Sequence, residues 1–109
     1  MHVTYKNAVV QADSVNLTRK MLAHDGGLMM VEVMFKEASE DYGMHSHPHE
    51  QIAYILKGSV EFAVDGKENI VLRTGDSIYV KPNVMHGCKP LEGGTTLLDV
   101  FTPMRDDFK

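Results

Sequence analysis

Histidine is concentrated in one short stretch of this 109-residue sequence, and it is the residue type best suited to chemistry there. Three of the six histidines, His45, His47 and His49, lie within residues 44–50. A spacing of two places His45 and His47 on the same side of an extended strand. Neutral imidazole is a common protein ligand of divalent transition metals. A polar strand end has the same spacing, so the pair alone is a weak metal signal.

The neighbours of this pair strengthen the metal interpretation. Pro48 has no backbone N–H to donate to a sheet and ends the first extended segment. Gln51 opens the next apolar run, so its side chain can return to the same place. His86 follows a second turn at residues 81–85. The sequence therefore offers several polar side chains that turns can bring together, with the strand-end alternative still open.

Alternating apolar and polar residues predict the elements that must position these side chains. Six strands are predicted from residue 28 onward, at 28–35, 51–57, 59–64, 70–72, 77–80 and 95–101. Asp65 and Gly66 lie between two of these runs and predict a tight hairpin in which both residues have positive φ. No window has a sustained helical period. Many short strands in one domain predict a sandwich or a small barrel.

Length, charge and cysteine content exclude several classes of protein. A chain of 109 residues predicts one domain over 1–109. Its net charge of −4, from 11 Lys+Arg and 15 Asp+Glu, disfavours nucleic acid as a partner. No apolar stretch approaches the ~18 residues of a membrane helix, and the first residues lack a signal-peptide pattern. Cys88 is the single cysteine and allows no intrachain disulfide, so we expect a cytoplasmic protein without a membrane partner.

Two segments, 43–58 and 75–86, resemble the two sequence motifs of the cupin family. The first contains the His45 and His47 pair, Gln51 four positions later and a glycine seven positions after that. The second begins with Gly-Asp and ends with His86. This resemblance implies an all-β, single-domain cupin, which is a double-stranded β-helix or jelly-roll barrel.

Three positions depart from the general cupin pattern. Gln51 replaces the usual glutamate, and Lys81 stands where proline is common. Asn83 stands where glycine is common, and asparagine is the next best residue for a left-handed turn. Only the first departure changes the chemistry of the site.

Segments 45–52, 82–88 and 97–108 narrow the resemblance to the pectin-degradation cupins of the KdgF type, from about residue 20 onward. Those proteins convert 4,5-unsaturated monouronates, which are small anionic sugars, into linear 4-deoxy-5-keto-uronates. The resemblance implies one divalent transition metal, Ni, Zn, Mn or Fe. It implies that the metal ligands are His45, His47, Gln51 and His86, and that the catalytic or substrate-contacting residues are Asp99, Phe101 and Arg105.

This chemistry has physical requirements that the implied residues can meet. An uncharged ligand set leaves the charge of the cation uncompensated, which favours charge stabilisation over redox work. Asp99 is the candidate base, and Phe101 shares its strand face and can pack on the sugar. Arg105 can hold the uronate carboxylate with two hydrogen bonds. The alternatives are a solvent-facing Asp99 and an Arg105 ion pair with Asp106, Asp107 or a partner chain.

Other functions and other roles stay open from sequence alone. A metal-dependent dioxygenase or other oxidoreductase, or a noncatalytic ligand-binding cupin, has the same motifs. Cys88 is either a thiolate ligand or a small buried hydrophobe, and Met44 and Met85 are either core filler or pocket lining. We also expect a homodimer, in which an N-terminal strand within residues 1–15 covers or exchanges with a partner's sheet edge.

Overall fold

A computed structural model describes all 109 residues, Met1–Lys109. It contains nine β-strands and two single-turn 3-10 helices, Tyr5–Asn7 and Asp106–Phe108. The strands are β1 (Val9–Asp13), β2 (Leu17–Asp25), β3 (Leu28–Phe35), β4 (Glu50–Lys57), β5 (Ser59–Val64), β6 (Ile70–Arg73), β7 (Ser77–Val80), β8 (His86–Pro90) and β9 (Thr96–Thr102). Neither helical segment is long and apolar enough to cross a membrane.

The strands form two antiparallel sheets, which confirms the all-β prediction. One sheet has six strands in the order β1-β2-β3-β9-β4-β7, and the other has three in the order β6-β5-β8. The long β9 strand lies between β3 and β4, so it sits near the middle of the larger sheet. The strand β1 pairs with β2 of its own chain at the sheet edge.

Period-two alternation explains how the core is filled. Along β3, and along β4 as far as Ile55, the odd-numbered side chains are buried or nearly so, and their even-numbered neighbours lie further out. One core cluster joins the two sheets and consists of Ala53, Ile55, Val60, Phe62, Leu72, Val80 and Leu97. A second cluster lies beside it and consists of Met21, Met29, Val31, Val33 and Phe101. A cavity opens on the inner face next to both clusters.

Two strands were not predicted from the sequence, namely β2 and β8, whereas β1 lies within the N-terminal segment 1–15 in which a strand was expected. In β2 the alternation is masked because Arg19 occupies an inward position between Leu17 and Met21. A register shift between Met21 and His24 further breaks the pattern. The predicted strands 28–35, 59–64 and 77–80 agree with β3, β5 and β7.

The turns at residues 65–66 and at Asn83 differ in how well the sequence predicts their backbone conformation. Gly66 has φ 80°, but Asp65 does not share this conformation, so the expected pair of positive-φ residues is wrong. The N–H of Lys67 donates to the carbonyl of Val64 at 3.0 Å, and the loop then runs on to β6. This hydrogen bond closes a turn over residues 64–67 in which only the third residue, Gly66, has positive φ, as in a type II turn. Asn83 has φ 65° and does adopt the left-handed conformation.

Candidate metal centre

The three histidines of the two motifs come together at one end of the cavity. His86 is the first residue of β8, whereas His45 and His47 lie in the segment that precedes β4. This segment is not the regular strand expected from the spacing, since only His45 forms a bridge, to His86. The two residues exchange both backbone hydrogen bonds at 2.9 Å. The bridge places the two motifs side by side.

Close backbone approach at Gly87 makes this bridge possible. A Cβ atom at position 87 would overlap the carbonyl oxygen of Tyr42 and crowd the backbone of Gly43 and Met44. The second turn also contacts the histidine segment, because the N–H of Asn83 donates to the carbonyl of His47 at 2.8 Å. Glycine after His86 therefore lets the histidine segment lie directly against β8.

Each histidine ring is oriented by a backbone carbonyl two residues away. The Nδ1 atoms of His45, His47 and His86 lie 2.7, 3.1 and 2.9 Å from the carbonyl oxygens of Gly43, His49 and Val84, respectively. A ring that donates its Nδ1–H to a carbonyl keeps a lone pair on Nε2, which is the metal-binding form. Ring nitrogens of all three lie within 4.8 Å of one another.

Burial keeps the rings of His47 and His86 in the neutral form. It lowers the pKa of His86 to about 4, and it also lowers the pKa of His47. Both rings are therefore neutral at neutral pH and available as ligands. The Nε2 atom of His86 is buried and has no hydrogen-bond partner, which is an unmet requirement inside a folded protein.

Gln51 completes a set of donors that fits a divalent transition metal. Its Oε1 atom lies 3.0 Å from Nε2 of His47, and its Nε2 atom donates to Oδ1 of Asp99 at 3.0 Å. With His47 donating from Nδ1, two lone pairs face each other across this gap. A divalent cation held by these residues would satisfy both lone pairs and the unpartnered nitrogen of His86, and imidazole and amide oxygen suit such a cation.

The side chain of Asp99 lies in the cavity beside this centre. Leu97, Asp99 and Phe101 share the inner face of β9, as the alternation predicts, and Asp99 is not solvent-facing. Burial raises the pKa of Asp99 to about 6, opposed by the hydrogen bond from Gln51 and by the nearby arginine charges. The Phe101 ring packs edge-on against the His47 ring, with centroids 5.5 Å apart.

Arg105 lines the cavity, and its guanidinium also forms an ion pair with Asp107. This ion pair is the alternative role that the sequence left open for Arg105. Its Nε and Nη2 atoms donate to the two carboxylate oxygens of Asp107 at 3.1 and 2.6 Å. The guanidinium carbon lies 5.2 Å from the Phe101 ring centre and 4.1 Å from that of Phe108. The planar edge of Arg105 is thus already engaged by a carboxylate of the same chain.

The structure distinguishes between the alternative roles of Cys88, Met44 and Met85. Cys88 lines the cavity and packs against the main core cluster. Burial raises the pKa of its thiol to about 12, so it stays protonated as a small hydrophobe and not as a thiolate ligand. Met44 and Met85 are 42% and 41% exposed and do not line the cavity.

Sequence reasoning missed two residues of the cavity wall, Arg19 and Phe108. The cavity has a volume of ≈ 360 Å³, and both residues line it. A strand pattern around Arg19 was present in the sequence. Leu17, Arg19 and Met21 alternate with Thr18 and Lys20, which places Arg19 on the same strand face as two apolar residues. Phe108 had no pattern signal, since it belongs to the 3-10 turn after β9.

Comparison with known proteins agrees with this architecture. Residues 31–101 match the family model described as a cupin domain. The pectin degradation protein KdgF of Dickeya dadantii is 39% identical over 92 residues, which cover 84% of this chain and 83% of that protein. A solved KdgF structure from a Halomonas species superposes with a TM-score of 0.89 at 31% identity, covering 100% of this chain and 98% of that one. An RmlC-like cupin from Shewanella frigidimarina gives a TM-score of 0.88 at 35% identity, with 99% and 95% coverage. The chain therefore belongs to the cupin family and is a homologue of the KdgF pectin degradation protein.

Proposed function

We propose that this protein opens and ketonises 4,5-unsaturated monouronates, the sugars that remain after pectin or alginate breakdown, to linear 4-deoxy-5-keto-uronates. The observation that carries the proposal is the uncharged three-histidine and glutamine centre with Asp99 hydrogen-bonded to it at 3.0 Å. Homology to a protein named for pectin degradation supports this substrate class.

The ligands of the metal in this proposal are His45, His47, Gln51 and His86. When bound, a divalent cation such as Ni, Zn, Mn or Fe supplies positive charge next to the developing oxyanion of the reaction. The chain contributes no charged ligand to balance it. This favours an isomerisation that needs charge stabilisation over a redox reaction.

Asp99 moves the protons in the proposed reaction. Its carboxylate accepts the proton of the anomeric hydroxyl, and the bond between C1 and the ring oxygen breaks as the C1 aldehyde forms. The ring oxygen leaves with the bonding electrons as the enolate of C5. Return of the proton to C4 gives the C5 ketone, so no other reactant is consumed. General acid–base groups of this kind contribute typically ~10²–10⁴ in rate.

Phe101 and Arg105 position the sugar in this proposal. The Phe101 ring lies on the cavity floor between the His47 ring and the Phe108 ring, where it can cover one sugar face and exclude water. Arg105 contacts the anionic end of the substrate, after its guanidinium exchanges the Asp107 carboxylate for that of the sugar.

We also propose a homodimer. Large apolar side chains remain exposed on the outer face of the six-stranded sheet, namely Met30, Ile52, Tyr54, Leu56 and Tyr79. Strand register places Met30, Val100, Ile52 and Tyr79 in one row across β3, β9, β4 and β7. A continuous apolar sheet face of this kind is typical of a protein–protein interface. A dimeric mass by light scattering at tens of micromolar supports the proposal, and a monomeric mass contradicts it.

The test is turnover of an unsaturated monouronate by metal-loaded protein. The expected result is loss of the ultraviolet absorbance of the conjugated enol ether and appearance of the keto product by NMR, in air and under nitrogen alike. Chelated protein serves as the control and should be inactive. An absolute requirement for dioxygen would instead indicate the oxidoreductase alternative, and binding of the sugar without turnover would indicate the noncatalytic one.

A further inference from the structure

Arg19 occupies an inward position on the larger sheet, facing the same cavity as Asp99. It pairs in register with Val33 of β3, which pairs with Leu97 of β9. Asp99 lies two residues further along β9, on the same face. The two backbones are separated by two strand spacings, roughly 10 Å across the sheet. Both side chains line the same cavity as His45 and His86.

The guanidinium of Arg19 has no carboxylate partner, in contrast to that of Arg105. Its only protein hydrogen bond runs from Nη1 to the neutral amide oxygen of Gln11 at 2.9 Å. No acidic side chain forms a salt bridge with it. Burial lowers the pKa of Arg19, yet a guanidinium stays charged. Arg19 is thus a half-buried cation whose remaining N–H groups need an acceptor.

The Phe108 ring holds the planes of both arginines. The guanidinium carbon of Arg19 lies 4.4 Å from the centre of this ring, and that of Arg105 lies 4.1 Å from it. The ring itself packs edge-on against Phe101, with centroids 5.7 Å apart. Stacking on an aromatic face leaves the N–H edge of a guanidinium free for a planar anion. The part of the cavity lined by Arg19, Arg105 and Phe108 is therefore cationic and preorganised.

We propose that Arg19 is a substrate-binding residue that takes the carboxylate of the sugar acid. The inference rests on the proposed function for the identity of that acid. In this arrangement the carboxylate end of the sugar lies against Arg19, and the anomeric end lies against Asp99 and Gln51. Arg19 offers this contact in the free protein, whereas Arg105 offers it only after Asp107 has moved away.

The test compares Arg19→Gln with Lys20→Gln. Lys20 is the next residue on β2 and lies outside the cavity, so its variant removes the same charge at a matched position. For turnover of the unsaturated uronate, Arg19→Gln should raise KM roughly 30- to 100-fold, the usual size of a lost charged hydrogen bond. The turnover number should change far less, Arg19→Lys should restore part of the loss, and Lys20→Gln should match the wild type.

Calorimetric binding of galacturonate, a saturated sugar acid that cannot react, separates this inference from the proposed function. If the wild type binds galacturonate but does not turn over the unsaturated uronate, and Arg19→Gln binds it at least tenfold more weakly, the inference stands and the proposed reaction fails. Equal binding by wild type and Arg19→Gln overturns the inference, as does an equal loss in Lys20→Gln or no binding by the wild type. Metal content and melting temperature of Arg19→Gln and Arg19→Lys show that each variant is folded.

Discussion

Two parts of the cavity are built in different ways, the histidine end, formed by His45, His47 and His86, and the arginine end, formed by Arg19 and Arg105. At the histidine end, each ring is held by a carbonyl two residues away in the chain, and no ligand carries a charge. At the arginine end, the groups are charged and come from β2 and from the segment after β9. They are held by side chains, namely Phe108, Gln11 and Asp107.

In the proposed function this difference separates the groups that carry out the reaction from those that bind the substrate. Backbone carbonyls orient the histidines whatever the ionic conditions, because they carry no titrating group. The arginine end contains one ion pair, Arg105 with the exposed carboxylate of Asp107. Pairs with an exposed partner contribute only ~0–1 kcal/mol and weaken with salt. Damage to the histidine end should therefore abolish activity, whereas changes at the arginine end should alter affinity by graded amounts.

The largest effect is expected from His47→Ala. It removes a buried ligand and leaves Oε1 of Gln51 without its neighbour, so stoichiometric metal and all turnover should be lost. Elemental analysis of protein purified without a histidine tag measures this. His24→Ala, at the far end of β2, is the matched control and should keep both. Unchanged metal content in His47→Ala would remove the basis for a metal centre.

A slightly smaller effect is expected from Asp99→Asn. The amide oxygen of asparagine can still accept the hydrogen bond from Gln51, so fold and metal content should survive. The proton acceptor is lost, and the turnover number should fall by ~10²–10⁴. Steady-state kinetics with the unsaturated uronate measures the fall, with Asp65→Asn in an exposed turn as the control. Wild-type turnover by Asp99→Asn would show that another group is the base.

Gln51→Glu tests whether the absence of charge at the histidine end matters. The variant should keep its metal, but a negative ligand reduces the pull of the cation on the enolate. It also replaces a hydrogen bond to Asp99 by a second carboxylate at the same place. We expect turnover to slow on the order of tenfold, equivalent to about 1.4 kcal/mol in the barrier. Equal or faster turnover would show that the uncharged ligand set does not increase the rate of the reaction.

The smallest effect is expected at the arginine end, from Asp107→Asn. This change weakens the ion pair with Arg105 and frees its planar edge for the substrate. Because an exposed pair contributes ~0–1 kcal/mol, KM should fall by roughly two- to fivefold with little change in turnover number. The neighbouring Asp106→Asn, whose carboxylate pairs with Lys109, should leave KM unchanged. A rise in KM for Asp107→Asn would indicate that Asp107 orients Arg105 for the substrate instead of competing with it.

The sequence alone determined the features that depend on spacing along one strand or within one turn. Alternation predicts β3, β5 and β7 and places Asp99 and Phe101 on one face, since successive side chains in a strand point to opposite sides. The two motifs also predict that His45, His47 and His86 converge. The left-handed conformation of Asn83, in an exposed turn, follows from the tolerance of asparagine for positive φ.

Tertiary structure decided what depends on contacts between distant segments. Arg19 faces the cavity because β2 pairs with β3 in one particular register, and a shift of one residue would turn it outward. The carboxylate of Asp107 accepts hydrogen bonds from the guanidinium of Arg105 because the segment after β9 folds back, with Phe108 packed on Phe101. The alternation around Arg19 does not fix the register of β2, and the docking of the terminal segment leaves no periodic signal. Both depend on long-range packing and not on local conformational preference.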